Sequence, residues 1–410
     1  MYLFFILIIT IFFNINICIA VSSSSSSSAK VDYLPGFHGP LPFHLETGYV
    51  GVDVNEDVQL FYYFIQSESN PEEDPLMLWM SGGPGCSSVM GFLYEIGPIQ
   101  FEAVKYNGSL PNLFLTPYSW TKMASIIFLD IPAGTGFSYA RTTIASSSTD
   151  IQYSHQAYEF MRKGYVLGNP LTFPEGDNYQ IRFANGMGLI SDELYKSLSH
   201  SCQGEYRLDY ISPNNDGCLR NIELYQECID GIEPSHVLEP YCRSSIQLAS
   251  QKQLNEERPF SSLHCRGDGY KLVNYWANDV NVRKALHIRK GTVKEWQRCG
   301  EDLNVTLTVY DVRPYHLNLS SKGYRSLIYS GDHDMSIPHQ STEAWVKDLN
   351  YHVIDQWRSW KVHCQIAGYT ESYSNMMTFA TVKGAGHTAP EYKPKECFAM
   401  FKRWISHEPL

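Results

Sequence analysis

The chain has 410 residues, 43% of them apolar, and a formal net charge of −11. The acidic excess excludes a polyanionic partner such as nucleic acid, and the apolar share suffices for one large buried core. Ten cysteines occur without a Cys-x-x-Cys pair, which favours disulfides over zinc, so neither metal nor cofactor is expected.

Residues 2–20 are almost wholly apolar and close in Cys18-Ile19-Ala20, a small-x-small ending that predicts a cleaved secretory signal over 1–20. A membrane anchor is the competing reading. Against it, seven serines over 22–28 follow at once and no basic flank sets an orientation. A serine-rich mature start over 21–30 then leads into one domain over 31–410. The expected destination is extracellular or vacuolar, with no membrane contact after cleavage. Nine cysteines remain in the mature chain, so at least one thiol is free. Sequons at Asn107, Asn304 and Asn318 predict a glycosylated surface.

Residues 50–55 and 58–66 alternate in part and predict a hairpin. Residues 75–80 form a continuous apolar run, expected of a strand buried on both faces, and end in Ser81-Gly-Gly-Pro-Gly85. A second buried strand is predicted over 124–130, then a helix over 149–163. Another strand over 164–169 follows that helix with no gap. Residues 186–265 hold five of the nine mature cysteines and predict a helical, disulfide-stapled cap. The sheet resumes over 326–330 and turns at Gly331-Asp-His-Asp334. A last strand over 378–382 enters Gly384-Ala-Gly-His-Thr-Ala-Pro390, and a helix over 397–405 follows. Buried strands alternating with helices predict an α/β fold with a doubly wound, mostly parallel sheet.

Three glycine-marked turns thus follow the C-terminal ends of sheet strands, where ligands bind in such sheets. Tandem glycines in the first let the backbone approach a substrate and aim N–H groups at developing negative charge. The other two place Asp334 and His387 beyond strand ends, an acid and then a histidine in chain order.

Trp79-Met-Ser-Gly-Gly-Pro-Gly-Cys-Ser-Ser88 resembles the oxyanion-hole signature of serine carboxypeptidases. Phe128-Leu-Asp-Ile-Pro-Ala-Gly-Thr-Gly-Phe-Ser-Tyr139, Gly164-Tyr-Val-Leu-Gly-Asn-Pro170 and the Gly384–Pro390 segment also resemble that family, from about Val31 onward. Ser81, Gly331-Asp-His-Asp-Met335 and Glu391-Tyr-Lys-Pro394 look most like the plant branch, many of whose members are acyltransferases using 1-O-acyl-glucose esters. The resemblance implies an α/β-hydrolase fold in which His387 is the general base and Asp334 orients it. It gives Gly83 one oxyanion-hole N–H. It sets Ser81, the Gly82 N–H and Glu95 at positions that bind the substrate carboxylate in peptidase members. The implied ligand is a peptide C-terminus or a small acyl-glucoside. Several peptidases carry asparagine in place of Ser81, so serine there leans toward acyl transfer. Family disulfides imply Cys86 with Cys299, Cys202 with Cys218, and Cys242 with Cys265. A monomer or a two-chain form cleaved between the last pair is expected.

The family's nucleophile lies in a Gly-Asp/Glu-Ser-Tyr-Ser/Ala-Gly elbow between a strand and a helix. That unit belongs between the helix ending at Arg162-Lys163 and the strand beginning at Gly164, where this chain has no residues to spare. A strand, an elbow, a helix and a return need about 30 residues, so the central strand and the following helix are expected to be absent. Gly136-Phe-Ser-Tyr-Ala140 mimics an elbow, but its preceding strand turns through Pro132 and Gly134, so Ser138 is not expected to be catalytic. Loss of a triad serine costs about 10⁶ in turnover. The chain therefore reads as an inactive splice form or incomplete gene model, or as a secreted binding glycoprotein that keeps the pocket. Filling the lost central position would require the strand at Tyr165 to slide into it.

Overall fold

The computed structural model describes residues 27–52, 55–83, 85–104, 106–143, 145–152, 154, 164–241, 266–300, 303 and 305–410. The expected signal, most of the 149–163 helix, Cys242, Cys265 and Asn304 lie outside these residues.

The strands form two main sheets instead of one. The N-terminal sheet runs Ser27–Lys30, Leu45–Val52, Val58–Ile65, Ser125–Leu129, Leu76–Trp79, with Tyr139–Ala140 pairing beside Val58–Ile65. The C-terminal sheet runs Gly164–Gly168, Arg325–Gly331, Met377–Val382, Gln365–Tyr373, Val353–Val362. Leu76–Trp79 is parallel to Ser125–Leu129, and Gly164–Gly168, Arg325–Gly331 and Met377–Val382 are mutually parallel. The outer ladders are antiparallel. The sheets are therefore mixed, parallel only next to the division, where the expectation was of a mostly parallel one. Short connections close the outer hairpins, while parallel neighbours need long crossovers.

Among the described residues no ladder joins Leu76–Trp79 to Gly164–Gly168, so each is an edge of its sheet. Leu76 is 56% exposed. The apolar run over 75–80 was expected to be buried on both faces, but with a neighbour on one side only among the described residues, its outer flank stays open there. Nor has Gly164–Gly168 moved across: it remains on Arg325–Gly331, in register from Gly164↔Arg325 to Gly168↔Tyr329. A cleft of about 1950 Å³ is lined by both edges.

Side chains hold the halves together where no ladder does. The helix Pro394–Ile405 buries Cys397, Met400, Phe401 and Trp404, the spacing of one helical face. Phe401 stacks flat on Trp120 of the N-terminal half, with centroids 4.2 Å apart. One hydrophobic cluster runs from Phe61, Phe128 and Trp120 to Leu327, Tyr329 and Val382. This helix begins one turn earlier than expected, because Pro394 occupies its first turn, where the missing N–H is no loss.

The described part of the cap, residues 186–241, is largely helical. Asp192–Cys202 and Asp216–Ile229 are capped by Ser191 and Asn215, whose side chains accept from Leu194 N and Cys218 N. Leu198, Cys202, Cys218, Ile222 and Tyr225 are buried between them, and a disulfide joins Cys202 to Cys218. The long hairpin Val353–Val362/Gln365–Tyr373 has no counterpart in the sequence-based expectation. Its two-residue turn, His363-Cys364, has both φ positive, 46° and 63°. Such turns normally announce themselves with Asn-Gly or Asp-Gly, and this one does not.

Candidate active site

The turn after Leu76–Trp79 is pinned from several directions. The Asp130 carboxylate, fully buried at the end of Ser125–Leu129, accepts from Ser87 Oγ (2.7 Å), Ser88 N (2.9 Å) and Phe137 N (3.0 Å). Burial pushes the Asp130 carboxyl up to about 6 against the pull of those three donors. Ser88 Oγ donates to Leu129 O at 2.6 Å, and Ser81 N donates to Ser88 Oγ at 3.0 Å. On the other flank a disulfide joins Cys86 to Cys299, with Ser87 N donating to Arg298 O and Gly300 N to Gly85 O. Gly83 sits at φ 149°, and a Cβ there would crowd Gly85 N and Cys86 at 3.1–3.3 Å. Glycine is thus required at the point where the backbone faces the cleft. Among the described residues, neither Gly82 N–H nor Gly83 N–H finds an acceptor.

Across the cleft, Asp334 follows Arg325–Gly331 and His387 follows Met377–Val382. Asp334 is fully buried, its Oδ1 accepting from Ser336 N (2.8 Å) and Ile337 N (3.2 Å). Oδ2 accepts from His387 Nδ1 at 2.8 Å and from Asn169 Nδ2 at 2.7 Å. Asn169, at φ 45° just past Gly164–Gly168, also accepts from Gly331 N through Oδ1. It therefore clamps the acid to the strand beside it, a role the sequence did not disclose. The His387 ring is open to the cleft, with 42% of its side chain exposed, yet protein surrounds it. Desolvation there pulls its pKa down, but the hydrogen bond and charge of Asp334 outweigh that and raise it. With Nδ1 donating to Asp334, Nε2 is left as the basic nitrogen. His387 N donates to Ser235 O, and Gly386 packs against His236, so the cap fixes this loop.

Ser81, Gly82, Gly83, Glu95 and His387 all line the same cleft. Burial first, and then the neighbouring Glu391 carboxylate, push the Glu95 carboxyl up to about 8, so it keeps its proton at neutral pH. Glu391 accepts from Arg266 Nη1 (2.8 Å), Tyr270 OH (2.8 Å) and Thr388 Oγ1 (2.9 Å). The Arg298 guanidinium stacks on Tyr270 at 3.9 Å, and its Nε has no acceptor among the described residues. Neither the Arg266–Tyr270–Glu391 group nor Arg298 was singled out from the sequence. Glu391 lies in the Glu391-Tyr-Lys-Pro394 segment, but two of its three partners, Arg266 and Tyr270, come from a helix over 120 residues away in sequence.

Serines sort clearly by environment. Ser138 is 1% exposed; its Oγ donates to Asp130 O and accepts from Phe61 N, so it braces the core. Ser87 and Ser88 are fully buried in the Asp130 network. Ser81 is the one serine among the described residues that line the cleft. Its Oγ accepts from Trp79 Nε1 at 3.4 Å.

Of the sequon asparagines described, Asn107 and Asn318 are exposed. Among the described cysteines, Cys228 and Cys364 are free and exposed, and Cys397 is free and buried.

The serine carboxypeptidase family model matches residues 35–163 and 162–407, two segments that meet where the sheets divide. Serine carboxypeptidase-like 10 of Arabidopsis thaliana is 47% identical over 430 residues, covering 93% of this chain and 95% of that protein. Serine carboxypeptidase-like 7 of the same plant is 46% identical over 428 residues, covering 93% and 94%. Both alignments are longer than the 410-residue chain, so the relatives carry residues that it skips. A prohormone-processing carboxypeptidase from Saccharomyces cerevisiae has the same α/β-hydrolase fold, with a TM-score of 0.68 at 17% identity, covering 92% of this chain and 95% of its own. By its sequence from residue 35 to 407, the chain belongs to the serine carboxypeptidase family.

Proposed function

We propose that this chain is a catalytically silent serine carboxypeptidase-like protein that retains its family's substrate pocket. One observation carries the reading: the Asp334–His387 pair faces a cleft in which Ser81 is the only serine among the described lining residues. Ser81 belongs to the turn that would stabilise an oxyanion, and its hydroxyl is engaged by Trp79. The family's strand–elbow–helix unit is the missing element, and with it the nucleophile. His387 then has no hydroxyl to deprotonate, and the turnover of a triad lacking its serine falls by about 10⁶.

Binding remains supported. The free N–H groups of Gly82 and Gly83, the Ser81 hydroxyl and the protonated Glu95 carboxyl line one cleft, donors suited to a peptide C-terminal carboxylate or an acyl-glucoside ester. We place the protein in the secretory pathway, extracellular or vacuolar, as a glycoprotein carrying sugar at Asn107, Asn304 and Asn318. Among the described residues no helix is long and apolar enough to cross a membrane.

The test is covalent labelling of the purified chain with a fluorophosphonate, read by intact mass. No adduct is expected under conditions that label an active relative completely. A stoichiometric adduct on any serine would overturn the proposal. Transcript reads across Lys163 and Gly164 supply an independent check: reads with an additional in-frame exon there would describe an ordinary enzyme.

A further inference from the structure

The helix Arg313–Ser321 turns one face to the protein and another to solvent. His316 is buried, with Nδ1 at 2.7 Å from Tyr165 OH and its ring stacked on Trp345 at 4.6 Å. Arg313, at the start of the helix, pairs with Asp311 and Asp348. Near its end, Ser320 Oγ accepts from Asn375 Nδ2 at 2.8 Å. These contacts fix how the helix is turned, and they leave Tyr315, 52% exposed, and Asn318, also exposed, facing outward.

Tyr315 and Asn318 are three residues apart. On a helix that makes them neighbours, with Cβ atoms about 5–6 Å apart. Helical side chains lean toward the N-terminus, so Asn318 reaches back over the turn that carries Tyr315. Among the described residues the Asn318 side-chain amide finds no hydrogen-bond partner, and the Tyr315 ring meets no other ring and no cation.

A lone exposed tyrosine needs no explanation. This one differs in what its neighbour can carry. Asn318-Leu-Ser320 is a sequon, so a β-linked N-acetylglucosamine would start one bond beyond Asn318 Nδ2. The ring substituents of that sugar are all equatorial, so each of its faces presents C–H groups. Their weakly positive hydrogens suit the negative face of an aromatic ring, and contact removes apolar surface of both from water.

We propose that the first N-acetylglucosamine at Asn318 packs on the Tyr315 ring, so that the glycan becomes an ordered part of the fold and clamps this helix. The inference rests on the reading that Asn318 is glycosylated, and it commits the exposed ring to the chain's own sugar. Asn107 supplies the contrast. Its neighbour Tyr106 is already stacked on Tyr275, with centroids 3.7 Å apart, and Asn107 Oδ1 accepts from Ser109 N and Oγ. No helical turn there sets the asparagine over a ring.

The contact is tested by a double-mutant cycle on the full secreted chain. Its glycans are trimmed enzymatically to one N-acetylglucosamine, and occupancy at Asn318 is read by peptide mass. Asn318→Gln should raise the unfolding constant about two- to tenfold when Tyr315 is present, and by less than about twofold in Tyr315→Ala. Asn107→Gln should have the same effect in both backgrounds. A carbon-13-labelled glycan gives a second readout: the Tyr315 ring current should shift C–H protons of the Asn318 sugar upfield, and Tyr315→Leu should abolish the shift. If Tyr315→Ala fails to fold, the shift in the unaltered chain decides. Equal effects of Asn318→Gln in both backgrounds, or unshifted sugar protons at an occupied site, would overturn the contact and leave glycosylation standing. An unoccupied Asn318 would overturn both. None of these outcomes depends on whether a serine reacts with fluorophosphonate.

Discussion

Replacing Leu76 with lysine measures directly whether the sheet is divided. In a closed α/β sheet the strand entering the glycine turn would be covered on both flanks, and a charge there would be severely destabilising. Here 56% of Leu76 is exposed. Full burial of a leucine side chain contributes about 1.5–3 kcal/mol. Less than half is buried, so the apolar loss in Leu76→Lys is about 1 kcal/mol, and the lysine stem recovers part of it by lying along the edge while its ammonium stays in water. The internal reference is Ile126, fully buried on the neighbouring strand, where Ile126→Ala should cost about 2–5 kcal/mol. Urea titration followed by far-ultraviolet circular dichroism gives both values on the same secreted protein. Leu76→Lys should shift the midpoint by under half of the Ile126→Ala shift. Equal or larger destabilisation by the lysine would mean that something covers this edge, and the description of an open cleft would be wrong.

Other consequences can be measured in parallel. Asp130→Ala strands three donors, Ser87 Oγ, Ser88 N and Phe137 N, in a buried site, and should lower stability by about 3 kcal/mol or more in the same titration. Removing the Cys86–Cys299 bridge by a double alanine substitution frees a loop of 213 residues, and chain entropy puts that loss near ~5 kcal/mol; a change below ~1 kcal/mol would refute a constraining role. Glu95 has its carboxyl raised to about 8, so it donates to a bound carboxylate below that pH and repels it above. Affinity for a hippurate-like carboxylate should therefore hold from pH 6 to 7.5 and then fall up to about tenfold per unit by calorimetry, whereas Glu95→Gln should flatten the profile. Peptide N-glycosidase should increase mobility in a gel, with a smaller increase for Asn107→Gln or Asn318→Gln.

Local signals in the sequence located what local physics determines. Tandem glycines marked the turn at Gly83, where the backbone conformation forbids a side chain, and alternation marked the Leu45–Val52/Val58–Ile65 hairpin within a few residues. Asp334 and His387 were legible because each sits in a glycine-bounded turn after an apolar run, and the structure joins them at 2.8 Å. What escaped were properties contributed by distant partners. Asn169 reads as an ordinary turn residue until Asp334 is beside it. Arg266 and Tyr270 acquire meaning only through Glu391. The hairpin at His363-Cys364 escaped for the opposite reason, a local conformation reached without the residues that usually adopt it. Leu76–Trp79 shows a further limit: an apolar run is expected to be buried, but only the assembled sheet shows that, among the described residues, this one pairs on one side alone.

The stack of Phe401 on Trp120 has a mechanical consequence. Because no ladder crosses between the sheets among the described residues, the halves can tilt relative to each other without breaking a strand-to-strand hydrogen bond there. The aromatic stack and the helix Pro394–Ile405 then serve as the pivot, and the Arg266–Glu391 ion pair as a tether. Gly83 rides on one half and His387 on the other, so their separation becomes a coordinate of motion instead of a fixed distance. Ordinary hinge movement on the microsecond-to-millisecond scale would open and narrow the cleft.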